Sequence, residues 1–273
     1  MEPDVRIDPA LLTVFPQIRL GCLTYEAAVA PSSPALWSVV EQETVPAVLA
    51  ELEEKTLAGI EGIRCSREAY KAFGRSPSRY RVSSESLIRR IRHGNPLYHV
   101  NTVVDVNNLI SLETALSVGS YDLSRLRGPV TLTVGQAGEG YEGIGKSYID
   151  MEHMLLLRDE EGPFGSPTSD SHRAMIGPES TRILTVIYCF SDAIDLDAAL
   201  GRDRRIFQHA QRRWLHADAG GGHPGHRRGH RPDAVHSGQG PVAAAGKAAG
   251  LLVLCGHGHH QPGVFQLVLL HRH

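Results

Sequence analysis

The chain predicts an α+β fold from two observations. Helical periodicity dominates its first half, and β-rich runs gather after Pro129. A regular βαβ repeat would interleave the two instead. A third observation bounds the folded part. Residues 1–200 carry 18 Lys+Arg against 27 Asp+Glu, a net of −9, whereas residues 201–273 carry 10 against 3, a net of +7. The expected organisation is therefore a domain over 1–200 and a separate segment over 201–273.

The elements follow in order. Residues 18–30 open with a strand. Residues 35–56 place Leu36, Val39, Val40, Val45, Val48, Leu49 and Leu52 at helical spacing, with Pro46 expected to kink or divide the helix. Residues 64–73 form an amphipathic helix that stops at Gly74. Ser83 or Ser84 is expected to cap the next helix, Glu85–Ile91. Asn101–Leu116 reads as a helix, although its valine-rich opening also suits a strand. The runs VTLTV, HMLLL and RILTVIYCF read as strands separated by turn residues.

The last segment differs in kind. It holds eleven of the fifteen histidines and 13 of the 28 glycines, and no glutamate follows Glu179. Its Gly, Ala, Pro, His and Arg bias, typical of a GC-rich gene read out of frame, leaves too little apolar surface to offset ordering entropy. The expectation is a disordered or non-native tail beginning near Gly201. Its histidines, among them His223, His226, His257, His259 and His260, lack a thiolate or carboxylate spaced to complete a tetrahedral metal site. No metal and no cofactor is expected.

Composition excludes several classes. With 41% apolar and 21% charged residues the chain is an ordinary globular one. No apolar run approaches the ~20 residues that cross a bilayer. Met1-Glu2-Pro3-Asp4 has no basic or apolar signal region. Cys22, Cys65, Cys189 and Cys255 are scattered, without a C-x-x-C pair, which suits buried thiols in a reducing cytoplasm.

Two motifs carry possible chemistry. Gly140–Ser147 fits G-x-x-x-x-G-K-[ST], a phosphate-binding loop, but that loop needs a strand leading straight in and a helix leading out. Here the strand ends near Val134, and Glu139 and Glu142 bring negative charge where phosphates sit. A glycine-rich hairpin or loop is expected. Ser169–Arg173 contains the residue types of a hydrolase triad, yet sequence neighbours do not converge as a triad does. It reads as a polar turn, with Asp170 and Arg173 at a pocket edge.

The basic cluster is the stronger signal. Between Arg64 and Arg92 stand nine basic residues opposed only by Glu68 and Glu85, with Tyr70, Phe73 and Tyr80 interleaved. Cations neutralise phosphates and aromatic faces stack on unpaired bases, so an RNA surface is expected. The alternative is a set of solvated helix faces with arginines in internal ion pairs.

The runs Arg67–Gly74, Ser76–Arg81 and Ser84–Arg90, then Val100–Asn108, Tyr121-Asp122-Leu123, Gly138-Glu139 and Thr181, resemble stand-alone B3/B4 domains, relatives of the editing domain in the phenylalanyl-tRNA synthetase β subunit. The resemblance spans residues 15–200. It implies a layered β-sandwich core flanked by helices. It also implies hydrolysis of a mischarged aminoacyl ester at the 3′ end of a tRNA, largely by orientation of water. The family's pocket carries over to Asn107 and Asn108, to Gly119 and Ser120, and to Val186, with Lys71, Arg75, Arg79 and Arg81 as the tRNA contacts. Gly119 stands where the family has histidine, and Val186 where it has the glutamate that reads a tyrosine hydroxyl. A pocket without that carboxylate loses its preference for a phenol. Two functions are therefore carried forward: a free-standing aminoacyl-tRNA deacylase, and a non-catalytic protein holding a small amino-acid-like or nucleoside ligand.

Overall fold

A computed structural model describes residues 3–27, 29–202 and 204–205, together with the backbone of 266–270. Its first half is mainly helical, and two four-stranded sheets form the second layer.

Strand β1 (Val5–Ile7) leads into helix α1 (Pro9–Val14), and β2 (Arg19–Glu26) follows. Helices α2 (Pro34–Val39) and α3 (Val45–Glu54) are joined without a break by a π turn over Val40–Thr44. Pro46 explains the turn. A proline cannot donate to the preceding turn, and the wider winding lets Val45 N–H reach the Val40 carbonyl five residues back. The expected kink is thus a π insertion.

Helix α4 (Glu61–Ala72) ends as the sequence suggests. Gly74 takes φ +77°, its N–H bonds to Lys71 O, and Arg75 N–H bonds to Tyr70 O. That left-handed residue closes a Schellman-type cap, which glycine adopts without Cβ strain.

The cap of α5 (Ser83–Arg92) corrects the sequence reading. Val82 occupies the N-cap position, and neither serine caps the helix with its side chain. The free N–H groups find tertiary partners instead. Ser83 N–H donates to Pro167 O at 2.7 Å, and Ser84 N–H donates to Ser117 Oγ at 3.3 Å.

Helix α6 (Thr102–Thr114) starts from Asn101, whose Oδ1 accepts from the N–H groups of Val103 and Val104. Every residue from Val103 to Leu112 is buried, so this is the central helix. The valine-rich opening is helical because burial on all sides overrides the weak β preference of valine.

The first sheet runs β1–β4–β7–β8, with β4 (Val130–Val134), β7 (Leu155–Asp159) and β8 (Gly162–Gly165). Strand β1 pairs parallel to β4, and the other pairings are antiparallel. The second sheet runs β10–β2–β9–β3, all antiparallel, with β3 (Ser117–Asp122), β9 (Arg182–Cys189) and β10 (Gln266–Leu270). Ile183 to Cys189 are buried without alternation, so both faces of β9 are covered. The sheets meet through Tyr121 of β3, whose ring lies edge-on to Phe164 of β8 at 4.9 Å between centroids.

Gly140–Ser147 is not a phosphate loop. Strands β5 (Gly140–Glu142) and β6 (Tyr148–Asp150) form a two-stranded hairpin around it, with no helix leaving the turn. The division at residue 200 falls mainly on residues outside those described, as do Cys255 and the tail histidines. Residues 196–202 form one helix across Gly201, and Gln266–Leu270 pair with β2 at the edge of the second sheet. The extended hydrophobic core cluster draws on residues from Val5 to Leu200.

Candidate functional site

The β3–β9 ladder gathers three of the expected pocket residues. Gly119 pairs with Val186, and Ser120 with Thr185. Side chains alternate across a sheet, so Gly119 and Tyr121 share one face while Ser120 takes the other. On the Ser120 face, the Ser120 hydroxyl donates to Thr185 Oγ1 at 3.0 Å, and Tyr25 Oη lies 3.0 Å from the same oxygen. Gly119 and Val186 therefore sit together, and Ser120 looks into a different environment.

Tyr121 fills the space over Gly119. A Cβ at Gly119, or at Gly165 on the opposing strand, would fall well inside van der Waals contact with the Tyr121 hydroxyl. Only glycine fits at 119 while the ring tip of Tyr121 occupies that volume. Val186 is wholly buried opposite Gly119 and Cys22. A carboxylate placed there would be desolvated, at a cost it could offset only by finding a partner.

Asn107 and Asn108 lie mid-helix in α6, at 1% and 2% exposure. Neither amide atom of Asn107 has a hydrogen-bond partner, nor does Asn108 Nδ2. Buried amides are almost always paired, so three orphaned atoms on adjacent residues mark polar capacity that the described residues do not use. The two residues neither cap nor break the helix.

The sequence reading names Tyr70 and Tyr121 but does not join them, or Tyr141 and Tyr188, to Asp170. Asp170 is buried and accepts from Tyr121 Oη at 2.8 Å and from Ser166 N–H at 2.7 Å. Tyr121 Oη also lies 2.8 Å from Tyr188 Oη. Burial pushes the Asp170 carboxyl up to about 8, against the opposing pull of its hydrogen bonds and of Lys146. The phenols of Tyr121, Tyr141 and Tyr188 are pushed up as well, first by burial and then by Asp170. The expected polar turn holds Asp170 and Arg173 apart. Arg173 instead holds Asp159 at 2.8 Å, and His172 is exposed. Only alternate-residue burial could have pointed to the cluster, because its members come from five separate segments.

The basic stretch divides in two. Arg64 is bound by Glu61 and Glu68, while Arg67 and Arg89 flank the fully buried Glu85 at 3.5 and 2.8 Å. Arg75, expected as a tRNA contact, is half-buried. It faces Asp150 at 3.8 Å and lies over the Tyr80 ring. Lys71, Arg79 and Arg81 are exposed, and no carboxylate among the described residues pairs with them; Arg79 stacks on Tyr80. They lie at the end of α4 and on the link to α5.

That link is pinned at both ends to the 166–170 loop. Tyr70 Oη lies 2.6 Å from Thr168 Oγ1, and Ser83 N–H bonds to Pro167 O. The segment that carries Arg79 and Arg81 is therefore anchored to the Asp170 loop.

A B3/4 domain profile matches residues 65–201. The chain belongs to the B3/4 domain family. The matched region begins within α4 and runs through β9, so it contains the Asp170 cluster, both asparagines and the free cations of this B3/4 domain. Comparison with curated proteins finds no match. A crystallised N-terminal fragment of the phenylalanyl-tRNA synthetase β subunit from Pyrococcus horikoshii is similar at 12% identity, with a TM-score of 0.35. The alignment covers 75% of this chain and 49% of that one, so the chain spans about half the length of that fragment. Among the described residues no helix is long and apolar enough to cross a membrane.

Proposed function

We propose that this B3/4 protein binds the aminoacylated 3′ end of a tRNA and hydrolyses a mischarged aminoacyl ester there. The supporting observation is the division of the basic stretch. Four of its arginines face carboxylates of the same chain and Arg90 bonds to Pro96 O, while Lys71, Arg79 and Arg81, like Arg92 at the end of α5, are exposed without one; Arg79 and Arg81 stand on the link anchored to the 166–170 loop. Exposed cations next to an aromatic face suit a phosphate backbone and an unstacked terminal base. Asn107 and Asn108 supply donors and acceptors suited to orienting an ester or a ribose hydroxyl.

Binding of the full chain to tRNA, measured across a salt series, tests the reading. Arg79→Ala and Arg81→Ala are expected to weaken affinity and flatten the salt dependence, each lost contact lowering the slope by about one. Unchanged affinity in both variants would refute a tRNA surface at this place. A panel of tRNAs charged with different amino acids then reads hydrolysis directly.

A second reading is favoured by the unpaired amide of Asn107. There the protein holds a small amino-acid-like or nucleoside ligand against Asn107 without turnover. Ligand binding with no loss of acyl groups from any charged tRNA selects it.

A further inference from the structure

The segment that joins α5 to α6 is exposed yet firmly held. From Arg92 to Val100 every residue except Leu97 is exposed. Asn95 N–H donates to Arg90 O at 3.1 Å, Arg90 Nε donates to Pro96 O at 2.6 Å, and Val100 N–H donates to Asp105 Oδ1 at 3.1 Å. The His99 ring lies flat on Trp37, with 3.6 Å between centroids and 3° between planes.

This held segment turns Tyr98 and Val100 to solvent, at 39% and 48% exposure. The Arg90 guanidinium stands 3.8 Å from the centre of the Tyr98 ring. Among the described residues no other ring stacks on Tyr98, and no carboxylate pairs with Arg90 or with the exposed Arg92. Two carboxylates reach the segment, and both meet other groups. Glu41 faces His99 Nε2 at 3.7 Å, and the buried Asp105 accepts from Ser32 Oγ and Val100 N–H. The partly exposed positions of α5, Ser83, Ser86, Arg89 and Arg90, recur at helical spacing as one stripe. The one acid of that helix, Glu85, is wholly buried, so the stripe shows no negative charge.

An exposed ring braced by a guanidinium, with a further cation close in sequence, suits single-stranded nucleic acid: bases lie on rings, and phosphates meet cations. A blunt duplex keeps its bases stacked inside and offers the ring no free face. We infer that Tyr98, Arg90 and Arg92 form a second RNA contact, which takes an unpaired nucleotide with its base on Tyr98 and its phosphate on the arginines. The inference rests on the tRNA reading above but concerns a place separate from Arg79 and Arg81. Those residues precede α5 and Tyr98 follows it, and the ten-residue helix between them is about 15 Å long.

The test measures, by fluorescence anisotropy, binding of the full chain to a fluorescein-labelled RNA of ~10 nucleotides, a length that a single-strand groove covers. The RNA is used single-stranded and annealed to its complement. Tyr98→Ala is expected to weaken single-strand binding by roughly 5- to 100-fold, the loss of one base–ring stack, and to leave the duplex nearly unaffected. Tyr98→Phe keeps the ring and should bind as the parent does. Arg92→Ala should lower the salt slope by about 0.7, one phosphate contact on a single strand. Unchanged single-strand affinity in Tyr98→Ala, or an equal loss on both RNAs, would overturn the site. If Arg79→Ala weakens tRNA binding while Tyr98→Ala weakens neither RNA, the tRNA reading stands and this site falls. If Tyr98→Ala acts while Arg79→Ala and Arg81→Ala do not, this site stands and the surface at the end of α4 falls.

Discussion

Tyr121 Oη donates to Asp170 Oδ1 at 2.8 Å while lying 2.8 Å from Tyr188 Oη, so two adjacent strands of the second sheet are tied to the loop that carries Ser169. The same phenol packs against both Gly119 and Gly165. One side chain therefore sets the sheet spacing and satisfies a buried carboxyl.

Asp170 should make stability depend on pH. Its folded-state value, about 8, lies above the ordinary carboxylate value of 3.8. Between those limits the unfolded chain binds fewer protons than the folded one, so stability falls as pH rises across this window. Asp170→Asn keeps an acceptor oxygen for Tyr121 and Ser166 and has no charge to bury. Its Tm should gain on the parent's from pH 5 to pH 8, by about 2–4 °C for each kcal/mol released. Parallel Tm curves for the two proteins would contradict the buried proton.

Gly119→Ala should be destabilising by about 1–3 kcal/mol, since the added methyl meets the Tyr121 hydroxyl. Tyr121→Phe should cost a similar amount by removing one of the two donors to Asp170, leaving the Ser166 N–H alone. Removing that hydroxyl also makes room for the methyl. The double variant should thus be more stable than the sum of the singles by at least ~0.5 kcal/mol in denaturant titrations, the signature of contacting residues. Strict additivity would mean the two positions do not touch.

The two kinds of arginine should separate by assay. Arg89→Ala removes a partner from the wholly buried Glu85 and should lower stability, by up to about 3 kcal/mol because Arg67 still faces it. Arg79→Ala should leave stability within about 0.5 kcal/mol of the parent and act on tRNA affinity alone. A stability loss at Arg79 would assign it to the internal ion pairs.

Asn108→Ala should leave the fold nearly intact and weaken binding of a charged tRNA by about 1–3 kcal/mol, the loss from an unpaired buried polar partner. Asn107→Leu should raise Tm in the free protein, because it replaces an amide with no partners by an apolar side chain of similar size. A fall in Tm with unchanged tRNA binding would make the pair structural.

A chain ending at residue 205 is expected to keep the domain folded, because the main core cluster lies between Val5 and Leu200. Strand β10 is an edge addition to β2 by backbone bonds. Thermal unfolding of the truncated and full chains compares them, and loss of cooperative unfolding in the shorter one would show that the edge strand is required.

Periodicity and punctuation in the chain were sufficient for α4 with its Gly74 stop, for α6, and for the three β runs. These features depend on local backbone preference and on the run of apolar residues, on one face in α4 and on every side in α6 and β9, which a linear pattern records. The same is true of the hairpin at Gly140–Ser147, recognised by the missing strand and helix around it. The serine cap of α5 was misread because Pro167 and Ser117, distant in sequence, supply the partners. Which arginines remain free depended on where Glu85 and Asp150 came to rest. The grouping of Tyr70, Tyr121, Tyr141 and Tyr188 around Asp170, and the meeting of Lys146 with Ser169, depended on packing two sheets and a helix together. A hydrogen bond between residues 23 or 49 positions apart leaves no period in the sequence. Only the tertiary structure, by burying Asp170 among those tyrosines, raises its carboxyl.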